Sequence, residues 1–299
     1  METRPLSWVK LIRYGAEAAG FFLAMGFFKL IGIDAASAVG GFLGRHVFIH
    51  LPPAKIARDN LRAAYPERDA AWIERTVREV CDNLGRVVGE YPHLGKLKLG
   101  ERIEMVDADN GHKAIAAGKG VMFISGHFAN WETLPISGQQ AGYDGSIVYR
   151  PPNNPFVADW IARQRGKLGP TEQISKGPRG TRRIFTTLRR GKTIFMLVDQ
   201  KTGQGVLAPF FGRDAKTTHA PATLALRMGS ALVPAWAERL HGAHFRVRIY
   251  PALEFSPTGD IDADVLALTA KINATIEERV RAHPSQWLWI HHRWPAPKK

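Results

Sequence analysis

At 299 residues the chain is long enough for one large domain, with or without a helical appendage. Hydrophobic residues at 45% and charged residues at 23% exclude a disordered protein, and the single cysteine, Cys81, excludes an internal disulfide or a thiolate metal cluster. A formal charge of +14 implies an anionic partner: nucleic acid, an acidic bilayer, a phosphorylated substrate or an acidic carrier protein. Composition does not choose among these.

Residues 18–28, AAGFFLAMGFF, carry no charge; LIGI follows Lys29, and Arg4, Lys10 and Arg13 precede the run. A transmembrane helix wants about 20 apolar residues, and Glu17 and Lys29 bracket fewer. A signal peptide, a buried core helix and a helix in or on a membrane all compete for this segment. Lys29 and Asp34 interrupt the run before the cleavage-like Ala36-Ser-Ala38, so membrane attachment fits best. Residues 1–50 are therefore read as a membrane-associating helical region and 51–299 as the main domain. Its lead-in, 54–90, reads as two helices. Residues 55–64 form the first, stopping before Tyr65-Pro66, and the second starts at Asp69 with Trp72, Ile73, Val77, Val80, Leu84 and Val87 in helical rhythm. Cys81 falls in that pattern as a small hydrophobe.

From about residue 102 short strands and helices alternate. Strands are expected at 102–106, 121–125, 146–149, 193–198, 231–237 and 244–250, the last two as an antiparallel hairpin around Leu240-His-Gly-Ala243. Helices are expected at 109–117, 130–140, 154–168, 178–190, 219–228 and 260–282. This alternation predicts an α/β fold, a mixed, mostly parallel sheet flanked by helices. Ligands then bind beyond the carboxyl ends of strands, which draws attention to SGHFANWE after VMFI and to DQKTGQG after another strand.

In SGHFANWE, His127 stands in the turn after a strand and Glu132 in the first turn of the next helix. From there Glu132 can reach back to one imidazole nitrogen, fixing the tautomer while the other nitrogen accepts a proton. The plainer alternative is a helix-capping carboxylate beside a loop histidine. The segment lacks the G-x-S-x-G elbow of a serine nucleophile and the H-E-x-x-H spacing of a zinc site, so no metal is expected.

GHFANWE resembles the H-x-x-x-x-[DE] motif of glycerolipid and lipid A acyltransferases, and is most similar to the bacterial lipid A late acyltransferases and their phosphatidylinositol-mannoside relatives. Val148-Tyr-Arg-Pro151, Met196-Leu-Val-Asp-Gln200, Pro209-Phe-Phe-Gly212 and Pro284–Trp294 agree in order, so the resemblance spans nearly the whole chain. It implies a glycerolipid acyltransferase-like fold with an apolar N-terminal helix at the cytoplasmic face of a bacterial inner membrane. It implies direct transfer of a fatty acyl chain from an acyl carrier protein or CoA thioester to a hydroxyl of a phosphorylated glycolipid such as a lipid A precursor. No cofactor is needed. His127 is then the general base and Glu132 its orienter, with backbone N–H groups at the following helix start or an arginine as oxyanion donors. Arg150, Asn154, Arg163 and Asp199 are the implied substrate-binding residues, with Arg163 against Arg165 left open. For Asn154 helix capping is the simpler explanation, and for Asp199 loop capping.

Residues 176–190 form the most basic segment, fit for lipid headgroups or an acidic carrier protein, or merely a solvated helix face. Trp287, Trp289 and Trp294 with His291, His292 and Arg293 read as a membrane-interface belt or as a last strand packed on the core. A lysophospholipid or mannoside acceptor is the nearest rival function. A non-enzymatic nucleic-acid-binding protein is suggested by charge alone and lacks a recognition motif.

Overall fold

The computed structural model describes residues 8–170, 172–203 and 205–294; Arg4 and Gln204 lie outside the described residues. Two helices open the chain, α1 (Trp8–Ile31) and α2 (Ile33–His46), followed by α3 (Pro52–Ala64) and α4 (Ala70–Glu90). Asp69 caps α4 by accepting from the Trp72 N–H at 2.7 Å. Helix α2 falls within the helical region expected over residues 1–50, although its GGFLG stretch has low helix propensity. Tertiary packing overrides that propensity. A Cβ on Gly44 would lie 2.0 Å from the Cys81 carbonyl oxygen, and one on Gly85 2.0 Å from that of Gly40, so the glycines let α2 and α4 touch backbone to backbone. Cys81 is buried there, and desolvation pushes its thiol up to about 11.

A seven-stranded sheet follows, built from β1 (Ile103–Val106), β2 (Val121–Ser125), β3 (Gly145–Tyr149), β4 (Gln173–Ser175), β5 (Thr193–Leu197), β8 (Ala231–His241) and β9 (His244–Ile249), in the order β1-β9-β8-β2-β5-β3-β4. Only the β8–β9 pair is antiparallel. Strands β6 (Val206–Phe210) and β7 (Arg213–Thr217) form a separate hairpin. Its tight turn puts Phe211 at φ 53° and Gly212 at φ 66°, the paired left-handed residues that match strand twist. That turn is the Pro209-Phe-Phe-Gly212 motif. Helices α5 (Ala108–Ala116), α6 (Thr133–Gln140), α7 (Pro155–Arg165), α8 (Pro178–Arg189), α9 (Ala220–Met228) and α10 (Ile261–Ala282) complete the chain. The α/β fold with a mostly parallel sheet is as expected. Strands β4, β6 and β7 are additions.

The register aligns three strand ends. Ile124 of β2 and Val148 of β3 both pair with Met196 of β5. His127, Arg150 and Asp199 therefore emerge two or three residues beyond one cross-strand row, at the same carboxyl edge. Every residue of β2 is buried, as a central strand covered on both faces requires. Side-chain alternation then splits the core in two. Met122, Ile124 and Met196 face α3, α9 and α10, whereas Val121, Phe123 and Phe195 face α6 and the turn Tyr91–Lys96.

Of the two readings of the C-terminal tryptophans, packing on the core holds. Trp287, Trp289 and Trp294 are 3%, 0% and 4% exposed, so they are core residues and no interface belt. Nor is the segment a strand; it forms one isolated bridge, Phe128 to Trp287. Arg293 is buried over the Phe210 ring and donates to Thr217 Oγ1 at 2.8 Å and Asn273 Oδ1 at 3.1 Å. Burial pulls its guanidinium down to about 10.

Gly85→Val should force α2 and α4 apart and lower stability by about 1–3 kcal/mol or more, as overpacking does. Thermal unfolding of the two proteins side by side measures it; an unchanged midpoint would mean the helices do not touch there.

Candidate active site

The turn after β2 is fixed by its own sequence. A Cβ on Gly126 would meet Phe128 at 2.8 Å and Asp199 Oδ2 at 3.1 Å, so a side chain here would crowd both the ring and the carboxylate. Phe128 is buried edge-on against Trp236 and anchors the turn in the core. Ala129 takes φ 47°, a left-handed conformation held from outside: its N–H donates to the Gln286 carbonyl at 2.8 Å, and its carbonyl accepts from Asn83 at 3.2 Å. Asn130, fully buried, donates to Glu90 Oε2 at 2.9 Å. Glu90 is in turn clamped by Ser37 and Arg239, and Arg239 donates to Asn83 Oδ1 at 2.9 Å. A buried ion pair thus backs the turn, and His127 is left half-buried on its outer side.

The carboxylate on His127 is Asp199. Imidazole Nδ1 donates to Asp199 Oδ1 at 2.8 Å, and Oδ2 accepts both the His127 backbone N–H and the Trp287 indole N–H at 2.7 Å. Asp199 is 2% exposed. Burial alone would raise its carboxyl; the charge of His127 and these three hydrogen bonds outweigh it and hold it at about 2, below the ordinary 3.8. With Nδ1 carrying the proton, Nε2 is the free base, and the Gln200 side-chain amide donates to it at 3.3 Å. The Trp131 ring stands edge-on to the imidazole, centroids 5.1 Å apart.

The expected contact between His127 and Glu132 is replaced by a different pair. Both Glu132 oxygens are taken by Arg165, at 2.9 Å and 3.0 Å to Nε and 2.6 Å to Nη2, and Oε1 also accepts the Tyr91 hydroxyl at 2.6 Å. Against its own burial, Arg165 and Tyr91 keep the Glu132 carboxyl below its ordinary range; burial and the neighbouring carboxylate push the Tyr91 phenol well up. The side chain reaches sideways to α7 because its helix begins after it: Glu132 is the N-terminal flanking residue of α6.

A groove of about 790 Å³ opens in front of His127. Leu134, Ile147, Ile184, Phe195 and Met196 give it an apolar wall, and Arg150, Lys176 and Lys201 stand on its cationic side. Arg150 is exposed at the groove. Asn154 is placed elsewhere: Oδ1 accepts from the Phe156 N–H at 3.2 Å to cap α7, and Nδ2 donates to the Tyr14 carbonyl of α1 at 2.8 Å. Arg163 is exposed outside the groove, whereas Arg165 lines it but is bound to Glu132. Two of the N–H groups at the α6 start, where an oxyanion contact is expected, are occupied: Glu132 N by Asn130 Oδ1 at 3.2 Å and Thr133 N by the Asn130 carbonyl at 3.0 Å. Gln200 and Trp287, unassigned by sequence reasoning, touch the dyad. Their signal was position, since each lies in a stretch already singled out, DQKTGQG and PSQWLW. Among the described residues no cluster of side chains suits a metal ion.

A histidine held by a buried carboxylate at a sheet edge faces a groove with one apolar wall and a cationic side, an arrangement able to take a proton from an amphiphilic ligand. The family model of the bacterial lipid A biosynthesis acyltransferases matches residues 9–296, and the chain belongs to that family; it is an acyltransferase. The lipid A biosynthesis palmitoleoyltransferase of Escherichia coli (strain K12) is 27% identical over 251 residues, 80% of this chain and 78% of that protein. The lauroyltransferase of the same organism is 26% identical over 255 residues, 81% and 78% of the two chains. A phosphatidylinositol mannoside acyltransferase of Mycolicibacterium smegmatis is 24% identical over 250 residues, 82% and 75%.

Asp199→Asn should lower kcat on the order of 10²–10⁴-fold with the fold intact. Glu132→Ala should act through stability, leaving buried Arg165 unpaired at a cost of about 3–5 kcal/mol; adding Arg165→Met should restore most of it. Turnover and thermal unfolding of the four proteins separate the two roles. Acid titration supplies a sign check: since the folded Asp199 carboxyl lies near 2 and the ordinary value is 3.8, its stabilisation is complete above about pH 4 and fades as pH falls toward 2. Asp199→Asn should lack that acid-dependent increment in unfolding curves.

Proposed function

We propose that this enzyme transfers a fatty acyl chain from the thioester of an acyl carrier protein to a hydroxyl of a phosphorylated glycolipid, a lipid A precursor, at the cytoplasmic face of the inner membrane. The observation that carries the reading is the Asp199–His127 dyad with unprotonated Nε2 facing a groove that is apolar on one wall and cationic on another. His127 Nε2 takes the proton of the acceptor hydroxyl as its oxygen attacks the thioester carbonyl. Asp199 keeps Nδ1 protonated and stabilises the imidazolium. The hydroxyl displaces the Gln200 amide from Nε2, and that amide then donates to the carbonyl oxygen as it becomes an oxyanion. Collapse breaks the C–S bond, and the leaving thiolate takes the proton from His127. The C–O ester bond forms, no acyl-enzyme intervenes and no cofactor enters. Arg150, Lys176 and Lys201 meet the acceptor phosphate. Glu132, through Arg165, keeps the groove wall in place.

Membrane attachment rests on α1. Leu23, Phe27 and Leu30 are 76%, 51% and 87% exposed, a row of large apolar side chains that water does not favour. Its other side is secured: Lys29 donates to the Pro92 carbonyl at 3.2 Å, and Phe28 is buried.

His127→Ala should abolish transfer. Gln200→Ala should lower kcat by about 10²–10³-fold with little change in KM, the cost of one oxyanion donor. Mass spectrometry of lipid extracts from cells carrying wild-type or His127→Ala protein would name the product. An acyl-sized difference on a phosphorylated glucosamine lipid supports lipid A; one on a mannoside or phospholipid would redirect the acceptor, and none would reject the activity. Replacing Leu23, Phe27 and Leu30 together by Glu should move the protein from the membrane pellet to the supernatant. Continued sedimentation of that variant would locate attachment elsewhere.

A further inference from the structure

Helix α8 and its flanks present charge of a single sign. Residues 176–192 hold seven basic side chains and no acidic one. Ile184 and Leu188 turn inward and are buried, so the arginines occupy the outer face by necessity. Arg183 is paired with Glu172, and Arg189 stacks on Phe185. Among the described residues Arg179, Arg182 and Arg190 are exposed and carry no ion pair. The same helix forms part of the groove: Thr181 and Ile184 line it, as does Lys176 just before.

Geometry separates this surface from α1. The connection β3–α7–β4 steps outward along the sheet and β4–α8–β5 steps back over β3. Right-handed crossovers in opposite directions place their helices on opposite faces. Consistent with this, Ile184 and Leu188 join Ile124, Val148 and Met196 on one side of the sheet. Helix α7 holds α1 on the other, with Trp160 against Phe21 at 5.2 Å and Asn154 on the Tyr14 carbonyl. A helix made for a bilayer surface shows its apolar face outward beside the cations. Here that face is spent on the core, and Phe185 is the one large apolar side chain of α8 among those exposed.

We infer that the outer face of α8, centred on Arg179, Arg182 and Arg190, is the docking surface for an acidic carrier protein that delivers the acyl thioester into the adjoining groove. The inference rests on the thioester-donor reading above and adds where the donor lands. Charges at such a surface act chiefly on encounter and affinity, and salt screens them. They do not touch the chemistry.

The test compares wild-type protein with the Arg179→Glu, Arg182→Glu, Arg190→Glu triple variant on two donors, acyl-loaded acyl carrier protein and acyl-CoA. Carrier affinity is read by titration and membrane affinity by co-sedimentation with phosphatidylglycerol vesicles. The expected result is a KM and Kd for the acyl carrier protein raised about 10-fold or more, a flatter salt dependence, and kcat at saturation within about two-fold. Rates with acyl-CoA and vesicle binding should stay unchanged. Unaltered KM and Kd for the carrier would overturn the inference. So would an equal loss with both donors, which marks damage to the groove, or a loss of vesicle binding, which marks a lipid surface. Wild-type protein that ignores acyl carrier protein while using acyl-CoA would instead reject the donor reading itself.

Discussion

The Asp199 carboxylate is the point at which the distant parts of this chain are tied together. It is buried, negative and satisfied by three donors: the imidazole and backbone of His127 after β2, and the indole of Trp287 near the C-terminus. A buried charge without such partners would cost several kcal/mol or neutralise itself by taking a proton. The β2 turn, the β5 end and the C-terminal segment must therefore all be in place before the carboxylate is tolerated. The same requirement fixes the histidine tautomer. One electrostatic constraint closes the fold at this edge and sets which ring nitrogen is left without a proton.

Around that charge a second buried network does a related job. Glu90, Arg239, Asn83 and Asn130 connect α4, β8 and the β2 turn, and Gln286 exchanges hydrogen bonds with the Arg239 backbone at 2.8 Å and 3.1 Å. Ala129 can hold its left-handed backbone because this frame surrounds it. The strain sits one residue from Phe128 and two from His127, where it aims the imidazole out of the sheet edge.

Most of the fold is legible in the sequence because local patterns and tertiary packing agree there. VMFI, TIFML and the hairpin around His241 read as strands and are strands. Disagreement appears where neighbours outvote propensity: the glycines of α2 face glycines of α4, a match that one helix cannot announce. The edge strand β4 is three residues long and carries no period. At the site, His127 could be found from its place after a buried strand. Its carboxylate could not be found by proximity in sequence. Glu132 is five residues away and within local reach, yet Asp199 is brought in by the β2–β5 register, a relation 72 residues long. The motif spacing singles out two residues without saying that they have separate partners.

Helix α7 explains why those partners differ. Its first turn is tied to α1, through Asn154 on the Tyr14 carbonyl, and its last residue, Arg165, holds Glu132 at the groove wall. Eleven residues of helix, Pro155–Arg165, thus form a short rigid strut between the apolar N-terminal helix and the reaction edge. Had Glu132 been spent on orienting the imidazole, Arg165 would be an unpaired buried cation and the strut would lose its anchor. Giving the orienting task to Asp199 frees Glu132 to fix the distance and direction of α1 from the base. On the proposed reaction, in which the acceptor stays in a bilayer beside α1, that fixed relation would hold His127 where the acceptor hydroxyl arrives.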